Sequence, residues 1–164
     1  MEFRKTVLED KEMLLDYIKE HNDAGEYNPS NMYPVIECIK WMEQAEKNEG
    51  NKSQESNLND TYILVDNNRI LGIVNIRCNI IKEMAEIYGH IGYGVRPSER
   101  RKGLATYMLK EALLECKKRG MEEVILGCHK DNIASSKTII NNNGVLYKNS
   151  FKNGKESEYY KIKL

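Results

Sequence analysis

The 164-residue chain has no long hydrophobic run and no surplus of charge of one sign. No segment approaches the 18 apolar residues typical of a membrane-spanning helix, and no apolar signal-peptide core follows Met1. Lysine and arginine total 25, and so do aspartate and glutamate, so the formal net charge is zero. Dedicated nucleic-acid binders and polybasic membrane modules need a positive surplus. We therefore expect neither nucleic acid nor a membrane as a partner.

Clustered cysteines and the common nucleotide-binding glycine patterns are also missing. The four cysteines occur singly, without a C-x-x-C pair. Metal and redox sites need clustered thiols, so we expect no metal site and free cysteines in a reducing cytoplasm. The sequence contains neither the Walker A pattern G-x-x-x-x-G-K-[ST] nor the dinucleotide pattern G-x-G-x-x-G. Two large classes of nucleotide-binding protein are therefore excluded.

Helical and strand patterns alternate along the chain and predict one α/β domain over residues 1–164, around a mostly antiparallel sheet. The predicted order is β-α-α-β-β-β-α-β-α-β-β. In this order the predicted strands are Glu2–Leu8, TYILVD, RILGIVNIR, Gly89–Val95, Glu122–Cys128, Gly144–Phe151 and Glu156–Leu164. The predicted helices begin near Asp10 and Val35 and span Leu104–Lys118 and Asn132–Asn142. Ile80–Tyr88 fits a short helix or a loop, and Asn48–Asp60 reads as a solvated loop.

The segment Tyr93–Thr106 (YGVRPSERRKGLAT) carries the strongest chemical signal. A strand ends there, Pro97 interrupts it, and a helix begins near Gly103. A helix N-terminus presents unpaired N–H groups and the positive end of the macrodipole, which together attract anions. Gly103 allows close approach to the backbone, and Arg100–Lys102 add three positive charges. The segment predicts a pyrophosphate cradle, and a solvated basic turn is the alternative interpretation.

Two sequence blocks resemble the GNAT superfamily of N-acetyltransferases. Arg100–Ala105 matches R/Q-x-x-G-x-G/A, the acetyl-CoA pyrophosphate loop of that superfamily. Asn132–Ser135, a predicted helix and Gly144-Val145 resemble its second CoA-contacting block. The strings HIGYGVRPSERRKGLAT and CHKDNIASSKTI are similar to a bacterial subfamily of predicted acetyltransferases. The resemblance covers essentially the whole chain and implies the GNAT fold, with acetyl-CoA as co-substrate.

The resemblance also implies which residues bind acetyl-CoA. Backbone N–H groups of Arg101–Thr106 would hold the pyrophosphate, with Arg100 leading the turn. Tyr93–Val95 would pair with the pantetheine arm like an added strand and aim an N–H at the thioester carbonyl. Asn132 would hydrogen-bond the pantetheine, with Ser135 nearby. The implied cofactor-binding residues are Tyr93, Gly94, Val95, Arg100, Arg101, Lys102, Gly103, Leu104, Ala105, Thr106, Asn132 and Ser135.

The implied reaction is direct attack of a neutral primary amine on the acetyl thioester, without an acyl-enzyme. Cys128 and His129 are adjacent, so on a strand they point to opposite faces and cannot form a nucleophile pair. Many superfamily members carry a tyrosine seven residues after the asparagine, to protonate the CoA thiolate. That position is Ile139 in this chain. A CoA-binding module without catalysis is therefore the first alternative, and an unrelated phosphate-binding protein is the second.

The acid and the base must then come from elsewhere. His90 is the first candidate base, because its unperturbed pKa near neutrality suits proton uptake from an ammonium. Glu86 is the second candidate, and a structural role is the alternative for His90. Substitutes for the missing phenol are Tyr147, Tyr159, Tyr160 or water. The predicted catalytic residues are His90, Glu86 and Tyr147.

The acceptor is predicted only as a class, a small-molecule or peptide amine. In the superfamily the region corresponding to Asp10–Asp60 usually shapes the acceptor site. A pocket for a cationic amine could be lined by Tyr27, Tyr33, Trp41, Glu26 and Glu37, although the aromatic residues could equally pack helices. The C-terminal strand SEYYKIKL could pair across a homodimer.

Overall fold

The computed structural model describes residues 1–26, 35–40, 60–152 and 154–164. Their strands are β1 (Glu2–Lys5), β2 (Asp60–Asp66), β3 (Arg69–Ile76), β4 (Ile91–Val95), β5 (Glu123–His129), β6 (Val145–Lys152) and β7 (Lys155–Lys163). Their helices are α1 (Lys11–Asp23), α2 (residues 35–40), α3 (Lys82–Tyr88), α4 (Leu104–Lys118) and α5 (Ile133–Ile140). Short 3-10 turns, Leu8–Asp10 and Pro97–Glu99, precede α1 and α4. The α/β class with antiparallel sheets is confirmed, and the ambiguous segment before β4 forms the additional helix α3.

The strands form a four-stranded sheet in the order β1-β2-β3-β4 and a three-stranded sheet in the order β5-β7-β6. β1 runs antiparallel to β2, and β7 runs antiparallel to both of its neighbours. The predicted turn between β2 and β3 uses Asn67 and Asn68 with φ of 48° and 57°, a left-handed conformation that asparagine tolerates. Residues 48–59 of the predicted solvated loop, the end of the second predicted helix and Asn153 lie outside the described residues, whereas Asp60 begins β2.

The chain folds into two compact units. Unit 1 consists of Met1–Asn75 and Tyr93–Leu104, and unit 2 of Ile76–Gly92 and Ala105–Leu164. Each unit is therefore built from two separate segments of sequence.

The core of unit 1 is one cluster of buried apolar residues from helices and strands. It contains Leu14 and Tyr17 of α1, which recur at the spacing of one helical face, and residues from α2, β2 and β3. The remaining buried members of the cluster are Val35, Cys38, Ile39, Ile63, Ile70 and Ile73. β3 is buried from Ile70 onward, as expected for an interior strand of its sheet.

The core of unit 2 uses the row of α4 residues that the sequence periodicity predicts. Met108, Ala112 and Cys116 are fully buried. β5, α5 and β7 of the same unit also carry buried residues, namely Val124, Ile125, Leu126, Ile139, Tyr160 and Ile162. Among the described residues, no helix combines the length and apolar character needed to cross a bilayer.

Candidate functional site

The predicted phosphate loop lies in unit 1, between the end of β4 and the first residue of α4. Arg101 and Gly103 have φ of 62° and 77°, so two left-handed residues shape the turn that leads into the helix. A Cβ added to Gly103 would meet nothing within 4 Å, so the space over its backbone is open. The first turn of α4 has no acidic residue to offset the helix dipole. These are the properties of an anion cradle, and they fit a pyrophosphate group.

A buried arginine anchors the start of this loop. Arg96 is 1% exposed, and its guanidinium donates to the Ile70 carbonyl at 2.5 Å, to Glu20 at 2.8 Å and to Asp16 at 2.8 Å. Its backbone N–H donates to the Leu71 carbonyl at 2.9 Å, which continues the β3–β4 pairing past Val95. Arg96 therefore joins the loop to both α1 and β3.

Glu20 is the carboxylate at the centre of this arrangement. Its Oε1 accepts from the Ser98 backbone N–H at 2.9 Å, and its Oε2 accepts from Arg96 at 2.8 Å and Arg69 at 3.0 Å. Burial by itself raises the pKa of Glu20, but the hydrogen bonds from Arg96 and Ser98 lower it to about 2. The ionised side chain thus binds the 3-10 turn of the loop to helix α1.

The three cations that the sequence places in the loop have different partners. Arg100 makes two bonds of 2.6 Å to the two carboxylate oxygens of Glu26. Lys102 contacts Glu99 at 2.7 Å, and that carboxylate also accepts from Arg69 at 2.7 Å. The exposed Arg101 has no ion pair within the described part of the chain. Arg101 is therefore the loop cation that remains available for a ligand.

Glu26, one of the residues predicted to line an amine pocket, pairs with the loop residue Arg100 and with His21. Arg100 and His21, whose Nδ1 lies 2.9 Å from Glu26 Oε2, lower the pKa of Glu26 to about 2. Burial lowers the pKa of His21. Glu37 contacts Lys40 at 3.0 Å. The aromatic residues predicted for that pocket, Tyr27, Tyr33 and Trp41, lie outside the described residues.

The second CoA-contacting block lies in unit 2, at the start of α5. Asn132 caps this helix, because its Oδ1 accepts from the Ser135 backbone N–H at 3.1 Å. Asn142 beyond the other end of α5 donates to the carbonyls of Thr106 at 3.2 Å and Thr138 at 3.0 Å. Asn142 thus ties α5 to the first turn of α4, where Thr106 is one of the predicted pyrophosphate residues.

Ile139, at the position of the superfamily tyrosine, is a core residue. It is 0% exposed, and a Cβ added to Gly144 would come within 2.4 Å of the Ile139 Cγ2 atom. The nearby phenol is that of Tyr160, whose hydroxyl lies 3.4 Å from Ser136 Oγ on α5 and donates to Glu158 at 2.7 Å. Burial, together with Glu158, raises the pKa of Tyr160. Tyr160 therefore keeps its proton at neutral pH.

His90 is engaged in unit 2 through both its backbone and its ring. Its backbone N–H donates to the Ile125 carbonyl at 2.7 Å, and its Nδ1 accepts from the Ile125 backbone N–H at 2.9 Å. A neutral imidazole that accepts at Nδ1 carries its proton on Nε2. Burial, with the nearby charge of Arg77, lowers the pKa of His90. This geometry argues against His90 as the general base, because its one lone pair is already used.

The other two predicted catalytic residues come together near α3 and β6. Lys148 Nζ lies 3.9 Å from Glu86, and Lys161 Nζ lies 4.8 Å from the centre of the Tyr147 ring. Burial, together with the charge of Glu86, raises the pKa of Tyr147. Tyr159, a third candidate phenol, donates to the Ile87 carbonyl at 3.3 Å. Glu86 and Tyr147 are thus electrostatic neighbours, whereas His90 bonds to β5.

Comparison with known proteins identifies the class to which this fold and loop belong. The model of the acetyltransferase (GNAT) family matches residues 16–138, so the chain belongs to that family. The match includes α1 from Asp16 onward, the loop and most of α5. A comparison with curated protein sequences gives no match.

Solved structures share the fold over nearly the full chain at low sequence identity. An N-acetyltransferase from Staphylococcus aureus Mu50 is 20% identical, with a TM-score of 0.64, over 99% of this chain and 97% of that one. A ribosomal-protein-alanine N-acetyltransferase from Brucella melitensis is 15% identical, with a TM-score of 0.69, over 100% of both chains. The microcin C7 self-immunity acetyltransferase MccE, in complex with acetyl-CoA and AMP, is 17% identical, with a TM-score of 0.65, over 96% and 89%.

The ionised carboxylates beneath the loop predict a loss of stability in acid. The pKa values of Glu20 and Glu26 fall from an ordinary 4.5 to about 2, so folding favours the ionised forms. Their contribution is complete above about pH 4.5 and is lost as the pH falls toward 2. We expect Glu20→Gln and Glu26→Gln to flatten the pH dependence of the free energy of unfolding, measured by urea denaturation between pH 2.5 and 6. The exposed Glu122→Gln is the control, and an unchanged slope in both variants would contradict the assignment.

The buried position of Ile139 predicts that the superfamily tyrosine cannot be restored there. Ile139→Tyr should lower the free energy of unfolding by about 1–3 kcal/mol, because the ring overpacks the contact with Gly144. The neighbouring Ile140→Tyr is the matched control, since Ile140 is 53% exposed. Chemical denaturation measures both variants. Equal stability of the two would show that position 139 has room for a phenol.

Proposed function

We propose that this chain is an acetyl-CoA-dependent N-acetyltransferase that moves an acetyl group to a primary amine by direct attack in a ternary complex. The observation that carries the proposal is the loop before α4. Glu26 and Glu99 form ion pairs with Arg100 and Lys102 of the loop, and two loop residues have left-handed φ angles that leave the backbone accessible. Arg101 has no carboxylate partner among the described residues. A family acetyltransferase needs such a loop to hold the CoA pyrophosphate. MccE, a structural neighbour, is solved with acetyl-CoA, which supports the same co-substrate here.

Acetyl-CoA supplies the activated acetyl thioester, and the residues of the chain hold and orient it. The backbone N–H groups of Arg101–Thr106 bind the pyrophosphate, and the Arg101 side chain adds its charge. Arg100 and Lys102 position the loop through Glu26 and Glu99. Tyr93–Val95 binds the pantetheine arm through backbone hydrogen bonds. Asn132 and Ser135, at the cap of α5, contact the same arm.

Proton transfer is assigned to groups whose protonation state fits the task. Tyr160, beside Ser136 on α5, is the first donor for the CoA thiolate, and Tyr147 is the second. Their raised pKa values keep both phenols protonated at neutral pH. Glu86 is favoured over His90 as the base, because the lone pair of His90 Nδ1 already accepts from Ile125.

A CoA-binding module without catalysis is the second candidate function. The buried Ile139 favours it, since the usual phenol is absent and the position has no room for one. A thiol-release assay over a panel of amines separates the two functions. Turnover above background hydrolysis supports the transferase, whereas acetyl-CoA binding without turnover on any amine supports the module.

We propose further that residues 1–164 act as one domain, since each of the two units is assembled from separate segments. Free thiols at all four cysteines favour a reducing, cytoplasmic setting. The acceptor is a small-molecule or peptide amine. A homodimer would not form through the C-terminal strand, as the sequence suggested, because β7 already pairs with β5 on one edge and with β6 on the other. The neighbouring ribosomal-protein-alanine N-acetyltransferase, by its name, acts on a protein amine.

The unequal pairing of the loop cations predicts unequal effects on acetyl-CoA binding. We expect Arg101→Gln to raise the acetyl-CoA Kd about 3- to 10-fold, the size of one partly exposed charge contact. Lys102→Gln should have a smaller effect, because Glu99 already offsets its charge. Gly103→Glu should abolish binding by placing a carboxylate in the open space of the cradle. Isothermal titration with acetyl-CoA measures all three variants.

The exposed Lys110→Gln, on the same helix but past its first turn, is the control for a general change in charge. Equal losses for the positions 101, 102 and 110 would show that the loop has no specific anion cradle. Unchanged binding in Gly103→Glu would contradict the placement of the pyrophosphate. In the wild type, absence of any acetyl-CoA binding would remove the proposal altogether.

The hydrogen bond to Ile125 predicts that His90 is not the titrating base. Asparagine at position 90 keeps an acceptor for the Ile125 N–H but does not titrate. We therefore expect His90→Asn to retain the acidic limb of the pH–rate profile and to change kcat less than about 10-fold. If kcat instead falls about 10²-fold or more and the acidic limb disappears from the pH–rate profile, His90 is the base after all.

A further inference from the structure

Arg77 is a partly buried arginine in unit 2 whose guanidinium makes one long hydrogen bond within the described part of the chain. It follows β3, and its backbone N–H donates to the His90 carbonyl at 2.8 Å. Its NH1 group donates to the Gly89 carbonyl at 3.4 Å, a long bond. Its NH2 group lies 3.5 Å from the place where a Cβ of Gly92 would stand. The guanidinium therefore lies across the first residues of β4.

This arginine differs from the paired arginines of the chain. The guanidinium groups of Arg4, Arg69, Arg96 and Arg100 each contact a carboxylate at 2.6–2.8 Å. Arg77 contacts no carboxylate among the described residues, and burial lowers the pKa of its guanidinium. A cation partly withdrawn from water costs stability unless a partner offsets that cost, and the guanidinium of Arg77 has only the long bond to the Gly89 carbonyl. Ionisable groups perturbed by burial cluster at functional sites, which makes Arg77 a candidate partner for an anion of a ligand.

The location of Arg77 indicates which ligand that is. Gly92 directly precedes Tyr93–Val95, the segment proposed to bind the pantetheine arm, whose end carries the acetyl group. The CoA pyrophosphate is assigned to the loop that begins at Arg100, and the 3′-phosphate of CoA is on the adenosine, at the opposite end of the molecule from the acetyl group. Neither is therefore the anion for Arg77. The remaining ligand of the reaction is the acceptor amine. A guanidinium presents a planar fork of donors that matches carboxylate or phosphate oxygens in pairs.

We propose that Arg77 binds an anionic group, a carboxylate or a phosphate, on the acceptor amine, so that the substrate carries both an amine and an anion. This inference rests on the proposed acetyl transfer and narrows its substrate class. Arg77 determines specificity by binding the part of the acceptor that does not react. An acceptor without an anion leaves the guanidinium unpaired in the complex, and it binds more weakly for that reason.

The first test needs no ligand. Arg77→Met removes the unpaired charge and should raise Tm by about 2–4 °C, as expected where a ligand-binding group costs the fold stability. Arg69→Met, on the neighbouring β3 strand, is the matched control and should lower Tm, because it leaves Glu20 and Glu99 with one partner fewer. Thermal unfolding of the free protein measures both. A fall in Tm for Arg77→Met as large as that for Arg69→Met would assign Arg77 to the fold and overturn the proposal.

The second test compares acceptors that differ only in the anion. Thiol release is measured with amino acids against their carboxamides, and with O-phosphoethanolamine against ethanolamine, which separates carboxylate from phosphate. The wild type should favour the anionic member of one series by about 10- to 100-fold in kcat/KM. Arg77→Gln should lose that preference with an unchanged Kd for acetyl-CoA, and Arg77→Lys should keep part of it. Equal rates for both members of both series in the wild type would overturn the proposal.

A binding measurement distinguishes failure of the anion site from failure of acetyl transfer itself. If no amine is turned over, binding of the N-acetylated amino acids and of N-acetyl-O-phosphoethanolamine is measured by thermal shift in the presence of CoA, each against its uncharged counterpart. An anion-dependent shift that disappears in Arg77→Gln supports the anion site even though transfer has failed. No anion-dependent shift in the wild type overturns the site.

Discussion

The structure of unit 1 depends on one buried cation, Arg96, held by two carboxylates of α1 and a carbonyl of β3. In a poorly solvated site these bonds are strong when complete, and any one left unmade is costly. They set the point at which β4 ends and the loop begins. The loop then passes through a left-handed Arg101, a conformation that costs an L-residue roughly 1–2 kcal/mol. Strain of this kind persists only where the surrounding contacts fix the chain on both sides.

Pairing divides the arginines into two groups with different uses. Arg69, Arg96 and Arg100 are bound by carboxylates and hold α1, β3 and the loop in place. Arg101 in unit 1 and Arg77 in unit 2 have no carboxylate partner among the described residues, and each is assigned to a ligand. Under these two proposals a chain with zero net charge binds two anions, since the location of unpaired cations matters more than their sum.

Local patterns were sufficient to predict the elements and the loop, but not the contacts that support the loop. The helix Leu104–Lys118 is found at its predicted bounds, because a long amphipathic row and a following glycine define it. The α3 segment stayed ambiguous because only Ala85 of its seven residues is buried. Arg96 pairs with residues 76 and 80 positions earlier in the chain, a separation that no local pattern reports. The Ile125 amide that engages His90 is 35 residues away for the same reason.

The alternating segments of the two units have a consequence for the order in which they are completed during synthesis. Unit 1 lacks Tyr93–Leu104 until residue 104 has left the ribosome, so α1 and the first three strands emerge well before the segment that contains Arg96. Until then, Asp16 and Glu20 are two like charges one helical turn apart, without their cation. Unit 2 is complete only when β7 emerges, because β7 is the central strand of its sheet. A ribosome stalled soon after residue 104 has emerged would therefore carry the complete segments of unit 1 on a chain whose unit 2 is unfinished.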